Sequence, residues 1–161
     1  MNKIAFKDLN QYFNKTITIE GFVDNIRNLQ WVQFVILRDI SGKVQVTIEK
    51  SEEKNKEMVE LIEHLPLEST VKITGTLLES PKVKLNGMEF IPATIEVTSR
   101  SEHELPFNYK DLNNVLSDTR MDYRFIDLRS ERNQLIFNVQ SIMVNALREF
   151  VLKNDFTEIH T

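Results

Sequence analysis

Apolar residues recur at every second or fourth position in three stretches near the start of the chain. Ile17, Ile19 and Val23 mark residues 16–26; Val32, Phe34 and Ile36 mark 32–39; Val44, Val46 and Ile48 mark 43–49. A period of two is what a strand with one buried face imposes, so three strands are predicted. Asp39-Ile40-Ser41-Gly42 separates the second from the third. Asp at the start and Gly at the end of so short a break is a hairpin signature, and it joins the two strands antiparallel. The earlier break, Arg27 to Trp31, is polar with an aromatic at its edge.

The period then changes. Ser51-Glu52-Glu53 predicts an N-cap with acids in the first turn, and Met58, Leu61, Ile62 and Leu65 follow at helical spacing until Pro66 ends the helix. Two more β-rich runs, 70–79 and 89–98, are split by a loop containing Pro81, Asn86 and Gly87. Three strands, a helix and two strands give a mainly β fold. The order is that of a five-stranded OB-fold barrel with its helix between strands 3 and 4, assigned here to residues 1–103. Residues 104–132 read as a linker and hinge. Residues 133–161 form a third segment that opens with a long helix, from about Asn133 to Lys153, with Leu135, Ile136, Val139, Ile142, Met143, Ala146, Leu147, Phe150 and Val151 in a stripe of period near 3.6. Its own segment offers that stripe no core. It either docks on a surface outside this chain, such as a second copy, or folds back on the barrel.

Composition narrows the function classes. With 41% hydrophobic and 27% charged residues in 161, the chain can bury a core and is not disordered. The absence of cysteine removes disulfides, thiolate metal sites and a Cys nucleophile. No apolar run approaches the roughly 20 residues that cross a bilayer, and the N-terminus lacks a signal-peptide core, so the expectation is a cytoplasmic protein without a membrane partner. Twenty Lys and Arg against 24 Asp and Glu give a net charge of −4, which argues against a binder held by sequence-blind phosphate attraction. A reader of bases remains open. Residues 1–50 hold seven basic against five acidic side chains, and residues 51–64 two against five, so the favourable field lies on the strand side.

No catalytic residues and no metal site are predicted. His64, His103 and His160 are scattered, with none paired at i, i+4, and no phosphate-cradling glycine motif occurs. The strands instead offer groups suited to bases. Alternation sets Phe34 opposite Val35, and a base stacked on such a ring gains about 1–3 kcal/mol. Gln45 projects opposite to Val44 and Val46, with an amide that both donates and accepts. Arg27 ends the first strand with a planar fork of donors. Each has a plainer reading: Phe34 as core, Gln45 and Arg27 as ordinary surface.

Gly21-Phe22-Val23, Ile26-Arg27, Phe34, Leu37-Arg38-Asp39, Gly42 and Val44-Gln45-Val46 resemble the N-terminal anticodon-binding domain of class IIb aminoacyl-tRNA synthetases, most of all the archaeal and eukaryotic aspartyl type. The stretch from Gly87 to Pro92 fits the same family. Leu105-Pro106 and the run from Asp118 to Arg129 are similar to the family's hinge, and Arg148-Glu149-Phe150 with Phe156 to Thr161 resembles motif 1 of class II synthetases. The family pattern would continue past Thr161 into the catalytic sheet, so the chain is expected to be a fragment or a shortened relative, inactive alone.

The resemblance implies roles residue by residue. Phe34 takes the position that stacks on the central anticodon base, a uridine shared by Asp, Asn and Lys tRNAs. Gln45 and Arg27 take positions that hydrogen-bond that base, and Glu89 an acidic position that reads the neighbouring first base. Phe22 stands where the family more often has Trp, and Met121 where it usually has Leu. The partner implied is tRNA, for Asp and also for Asn if the module is asparaginyl or non-discriminating. ATP and Mg²⁺ belong only to the intact enzyme, with no cofactor in this chain. The long helix resembles the element at the class II homodimer interface, which makes Ile142, Leu147 and Phe150 candidates for that contact. Two readings stand outside the family: a general single-strand-binding OB protein, and a purely structural dimerising segment.

Overall fold

The structure is a computed structural model that describes residues 4–102 and 105–159; His103, Glu104, His160 and Thr161 lie outside the described residues. It divides into two compact units, Met1–Glu104 and Leu105–Thr161.

In the first unit five strands form, β1 (Thr16–Asn28), β2 (Val32–Arg38), β3 (Lys43–Glu49), β4 (Thr70–Glu79) and β5 (Met88–Ser99). They pair in the order β1-β2-β3-β5-β4, and β4 pairs back on β1, so the sheet closes on itself. Every pairing is antiparallel except that of β3 with β5. Closure removes the free edges that would otherwise template aggregation. The interior is filled by Ile19, Val23, Val35, Leu37, Val44, Val46, Ile48, Val71, Ile73, Leu77 and Phe90. Gly75 sits where β4 meets Pro92, and a Cβ there would collide with the Ile91 carbonyl, so only glycine lets the two backbones approach.

Two features of the strands differ from the periodicity reading. In β2 the buried face is Gln33, Val35 and Leu37, whereas Val32, Phe34 and Ile36 are only half-buried. The strand is apolar on both faces, so the period alone marked the wrong one. In β1 the register shifts between Val23 and Asn25. The extra residue, Asp24, reverses the alternation: Ile19 and Val23 face in, and beyond the shift Arg27 pairs with Phe34 on the outward face. Asp24 itself is buried, with its carboxylate 3.3 Å from Arg38 Nε and 3.6 Å from Lys43 Nζ.

The helix α1 (Lys56–Glu63) lies between β3 and β4 in sequence and buries Ile62 and, just beyond its end, Leu65. Ser51 is not its N-cap. A 3-10 turn (Glu53–Asn55) intervenes, and Asn55 at the helix start spends its amide on the Glu49 carbonyl at 2.8 Å instead. A 3-10 helix at Phe6–Tyr12 was not anticipated; it buries Phe6 and Leu9 in the same core. Asp39 holds it there. One carboxylate oxygen accepts from Phe6 N–H at 2.9 Å while the other accepts from Ser41 and Gly42 N–H at 2.6 and 2.8 Å.

In the second unit, residues 105–130 are not an open linker. Phe107, Tyr109 and Ile126 are buried together with Leu105, Leu112 and Val115 against them, and two short helices form, α2 (Ser117–Asp122) and α3 (Arg124–Asp127). The buried Asp127 accepts from Arg120 Nε at 2.7 Å and from Asn133 Nδ2 at 2.8 Å, tying both to the next helix. Donating this hydrogen bond to Asp127 raises the Arg120 guanidinium above its already high ordinary value. Ser130 caps α4 (Glu131–Lys153) by accepting from Asn133 N–H at 3.3 Å. None of the residues of α4 is buried. By length and mean hydropathy α4 is apolar enough to cross a bilayer, contrary to the reading that no run qualifies. Asn138, Ser141, Asn145 and Arg148 nevertheless fall on one side of it, as in an amphipathic surface helix.

Candidate nucleic-acid interface

The outward faces of β1, β2, β3 and β5 bring together all four base-reading candidates. Arg27 on β1 is the register partner of Phe34 on β2, and Phe34 is the partner of Thr47 on β3. One step along, Gln45 on β3 lies between Ile36 on β2 and Glu89 on β5. Directly opposed residues stand about 5 Å apart at Cβ, within reach of one base. Two rows result, Arg27–Phe34–Thr47 and Ile36–Gln45–Glu89, on neighbouring rungs of one face.

Phe34 is half-buried and is not among the residues of the core cluster. Its register partners are Arg27 on one side and Thr47 on the other. Arg27 is exposed, and Gln45 and Glu89 are half-buried. The polar groups are linked: Thr47 Oγ1 donates to Glu89 Oε2 at 3.0 Å, and Gln45 Nε2 approaches Thr47 Oγ1 at 3.5 Å. Thr47 was not singled out from the sequence. The available signal was its spacing, two residues after Gln45, but finding it required the register that places it opposite Phe34.

The surroundings favour a single strand over a duplex. Beyond the rows, Trp31 in the β1–β2 turn is 70% exposed, and the β4–β5 loop carries exposed Lys82 and Lys84. That loop is fastened to β3 by a hydrogen bond from Asn86 Nδ2 to the Lys43 carbonyl at 3.0 Å. A stacking ring, a forked cation and an amide on a rigid sheet, with lysines at the margin, can hold an unstacked base by its face and edge. Among the described residues no group of three or more His, Asp or Glu could hold a metal ion. The interface candidates Ile142, Leu147 and Phe150 lie elsewhere, on α4, each more than 60% exposed.

Comparison with known proteins matches both segments of the chain. Residues 17–99 match the family described as OB-fold nucleic acid binding domain, and residues 116–161 match class II tRNA synthetases of the D, K and N group. An aspartate–tRNA(Asp/Asn) ligase of Methanopyrus kandleri is 37% identical over 90% of this chain and 33% of its own length. An aspartate–tRNA(Asp) ligase of Pyrococcus horikoshii is 37% identical over 91% of the chain and 33% of its own length. The chain thus spans about a third of the curated relatives it matches. The aspartyl-tRNA synthetase of Entamoeba histolytica superposes with a TM-score of 0.86 at 30% identity, over the whole of this chain and 39% of that one. The chain belongs to the OB-fold tRNA anticodon-binding family, joined to the start of a class II tRNA synthetase domain.

Proposed function

We propose that the outward face of β1, β2, β3 and β5 reads the anticodon of a tRNA, as the recognition module of an aspartate–tRNA ligase. The observation that carries this is the half-buried Phe34 outside the core cluster, flanked in register by Arg27 and Thr47 with Gln45 one rung away. Anticodon bases are unpaired and can splay outward. The central uracil stacks on Phe34 while its Watson–Crick edge meets Gln45 and Arg27, and Glu89 addresses the neighbouring base. Loss of one such edge contact costs about 1–3 kcal/mol.

In the intact enzyme, on this reading, aspartate is activated with ATP and Mg²⁺ to an adenylate and passed to the tRNA end. The residues of this chain bind and orient the anticodon and take no part in that step. The enzyme is cytoplasmic and dimerises through α4. A second reading is a module serving both Asp and Asn tRNAs, since relatives named for Asp/Asn are as similar to this chain as those named for Asp alone.

Titration with anticodon stem-loops of Asp, Asn, Lys and an unrelated tRNA tests both, with salt fixed because phosphate contacts depend on it. The Asp stem-loop should bind at least tenfold more tightly than the unrelated one. The Asp-to-Asn ratio decides between strict and dual specificity. Equal affinity for all four would overturn anticodon reading in favour of a sequence-blind single-strand binder.

A further inference from the structure

Thr47 stands between two of the base-reading groups, and its hydroxyl has only one proton to give. Glu89 Oε2, 3.0 Å away, is a carboxylate oxygen that accepts, so the Thr47 proton is directed to it. Toward Gln45 the same hydroxyl can then only accept. The amide end of Gln45 that faces Thr47, 3.5 Å away, must therefore be Nε2. Its carbonyl oxygen, Oε1, is left to face the ligand. The polarity of this chain, carboxylate to hydroxyl to amide, follows from counting protons, and the contact between Thr47 and Gln45 is the link through which it reaches the amide.

We infer that Thr47 is a positioning residue that fixes which end of the Gln45 amide meets the base, and so sets discrimination by the site. This rests on the anticodon reading proposed above. An outward carbonyl accepts from a ring that carries N–H at the middle of its Watson–Crick edge. Uracil has that donor at N3; cytosine has a lone pair there, which would oppose Oε1. A Gln45 amide free to turn would offer its NH₂ to cytosine as readily as its oxygen to uracil. Thr47 does not touch the base in this arrangement; it acts through Gln45 and Glu89.

The test measures binding of two anticodon stem-loops that differ only in U or C at the central position. The proteins compared are the unaltered chain, Thr47→Val, Thr47→Ser and Glu89→Gln, with thermal melting followed for each. Thr47→Val keeps the shape and removes the hydroxyl. It should lower the U-to-C affinity ratio by about tenfold, the weight of one hydrogen bond in a binding constant, while U binding falls much less. Thr47→Ser should restore the ratio. Glu89→Gln, whose amide can donate to Thr47, should lower it without altering residue 47. An unchanged ratio in both Thr47→Val and Glu89→Gln would overturn the positioning role. If the unaltered chain itself failed to prefer U, the anticodon reading would fall and this inference with it, an outcome distinct from the former. Should Thr47→Val fail to fold, the Glu89→Gln ratio alone decides.

Discussion

Phe34 is half-buried and lies outside the core cluster. Its strand partners, Arg27 and Thr47, support the backbone on either side, and the core behind it is filled by Val35, Leu37 and Phe90. Function and stability at this point of the sheet are therefore separable. Phe34→Ala should weaken binding of the Asp stem-loop by about ten- to a hundredfold, the weight of one stacked base, with a melting temperature close to that of the parent. Phe90→Ala, on β5 two strands along the sheet and fully buried, should instead cost about 3–5 kcal/mol in urea unfolding. A Phe34→Ala protein as unstable as Phe90→Ala would return the ring to the core. The sequence made Phe34 and Gln45 readable because strict alternation set each opposite a β-branched neighbour. Arg27 was readable as a forked donor at the end of the first strand, but its face was not: the extra residue Asp24 reverses the parity of β1, and no periodic pattern marks such a shift. Thr47 was unreadable for a related reason, since its role comes from a partner on β5, more than forty residues away.

At the level of elements, the strands and hairpins announced themselves and the 3-10 helix did not. Asp39-Ile40-Ser41-Gly42 is a local signal, written in the hydrogen bonds of one carboxylate to the next two or three residues. The same carboxylate also accepts from Phe6 N–H, thirty-three residues earlier, and this long-range bond seats the helix Phe6–Tyr12 on the core. Seven residues with two buried apolar side chains are too few to declare a period, so the element depends on tertiary contact for its existence. Asp39→Asn tests the connection. Asparagine retains one carbonyl oxygen for the turn, but its NH₂ cannot accept from Phe6. The loss should be about 1.5–3 kcal/mol by denaturant unfolding, with faster hydrogen exchange at Phe6 than at the strand amides. Equal protection at Phe6 in parent and variant would show that the apolar contacts of Phe6 and Leu9 suffice without the carboxylate.

For the whole molecule the open question is what covers α4. Phe150, Leu147 and Ile142 join Leu135, Met143 and Val139 in a stripe whose members are each close to half exposed or more, while Asn138, Ser141, Asn145 and Arg148 line another side. Arg148 is in turn held by a bidentate pair with Glu158, both bonds at 2.9 Å, and this contact raises its guanidinium above the ordinary value. A bilayer would have to desolvate that ion pair and the asparagines along with the apolar face. A second copy of the same helix needs to cover only the stripe and leaves the polar side in water, which is the cheaper arrangement by several hydrogen-bonding groups. The periodicity of this helix was plain from the sequence, but an amphipathic stripe names a buried face without naming its cover. Sedimentation at increasing protein concentration should show a monomer–dimer equilibrium. Leu147→Glu with Phe150→Glu should hold the chain monomeric at the same concentrations, because two carboxylates would have to be buried at the contact. Stem-loop affinity should be unchanged in that variant, since the residues proposed to read the bases all lie on β1, β2, β3 and β5. A double variant that still dimerised would move the interface off this stripe, and one that lost stem-loop binding would place α4 in the RNA site.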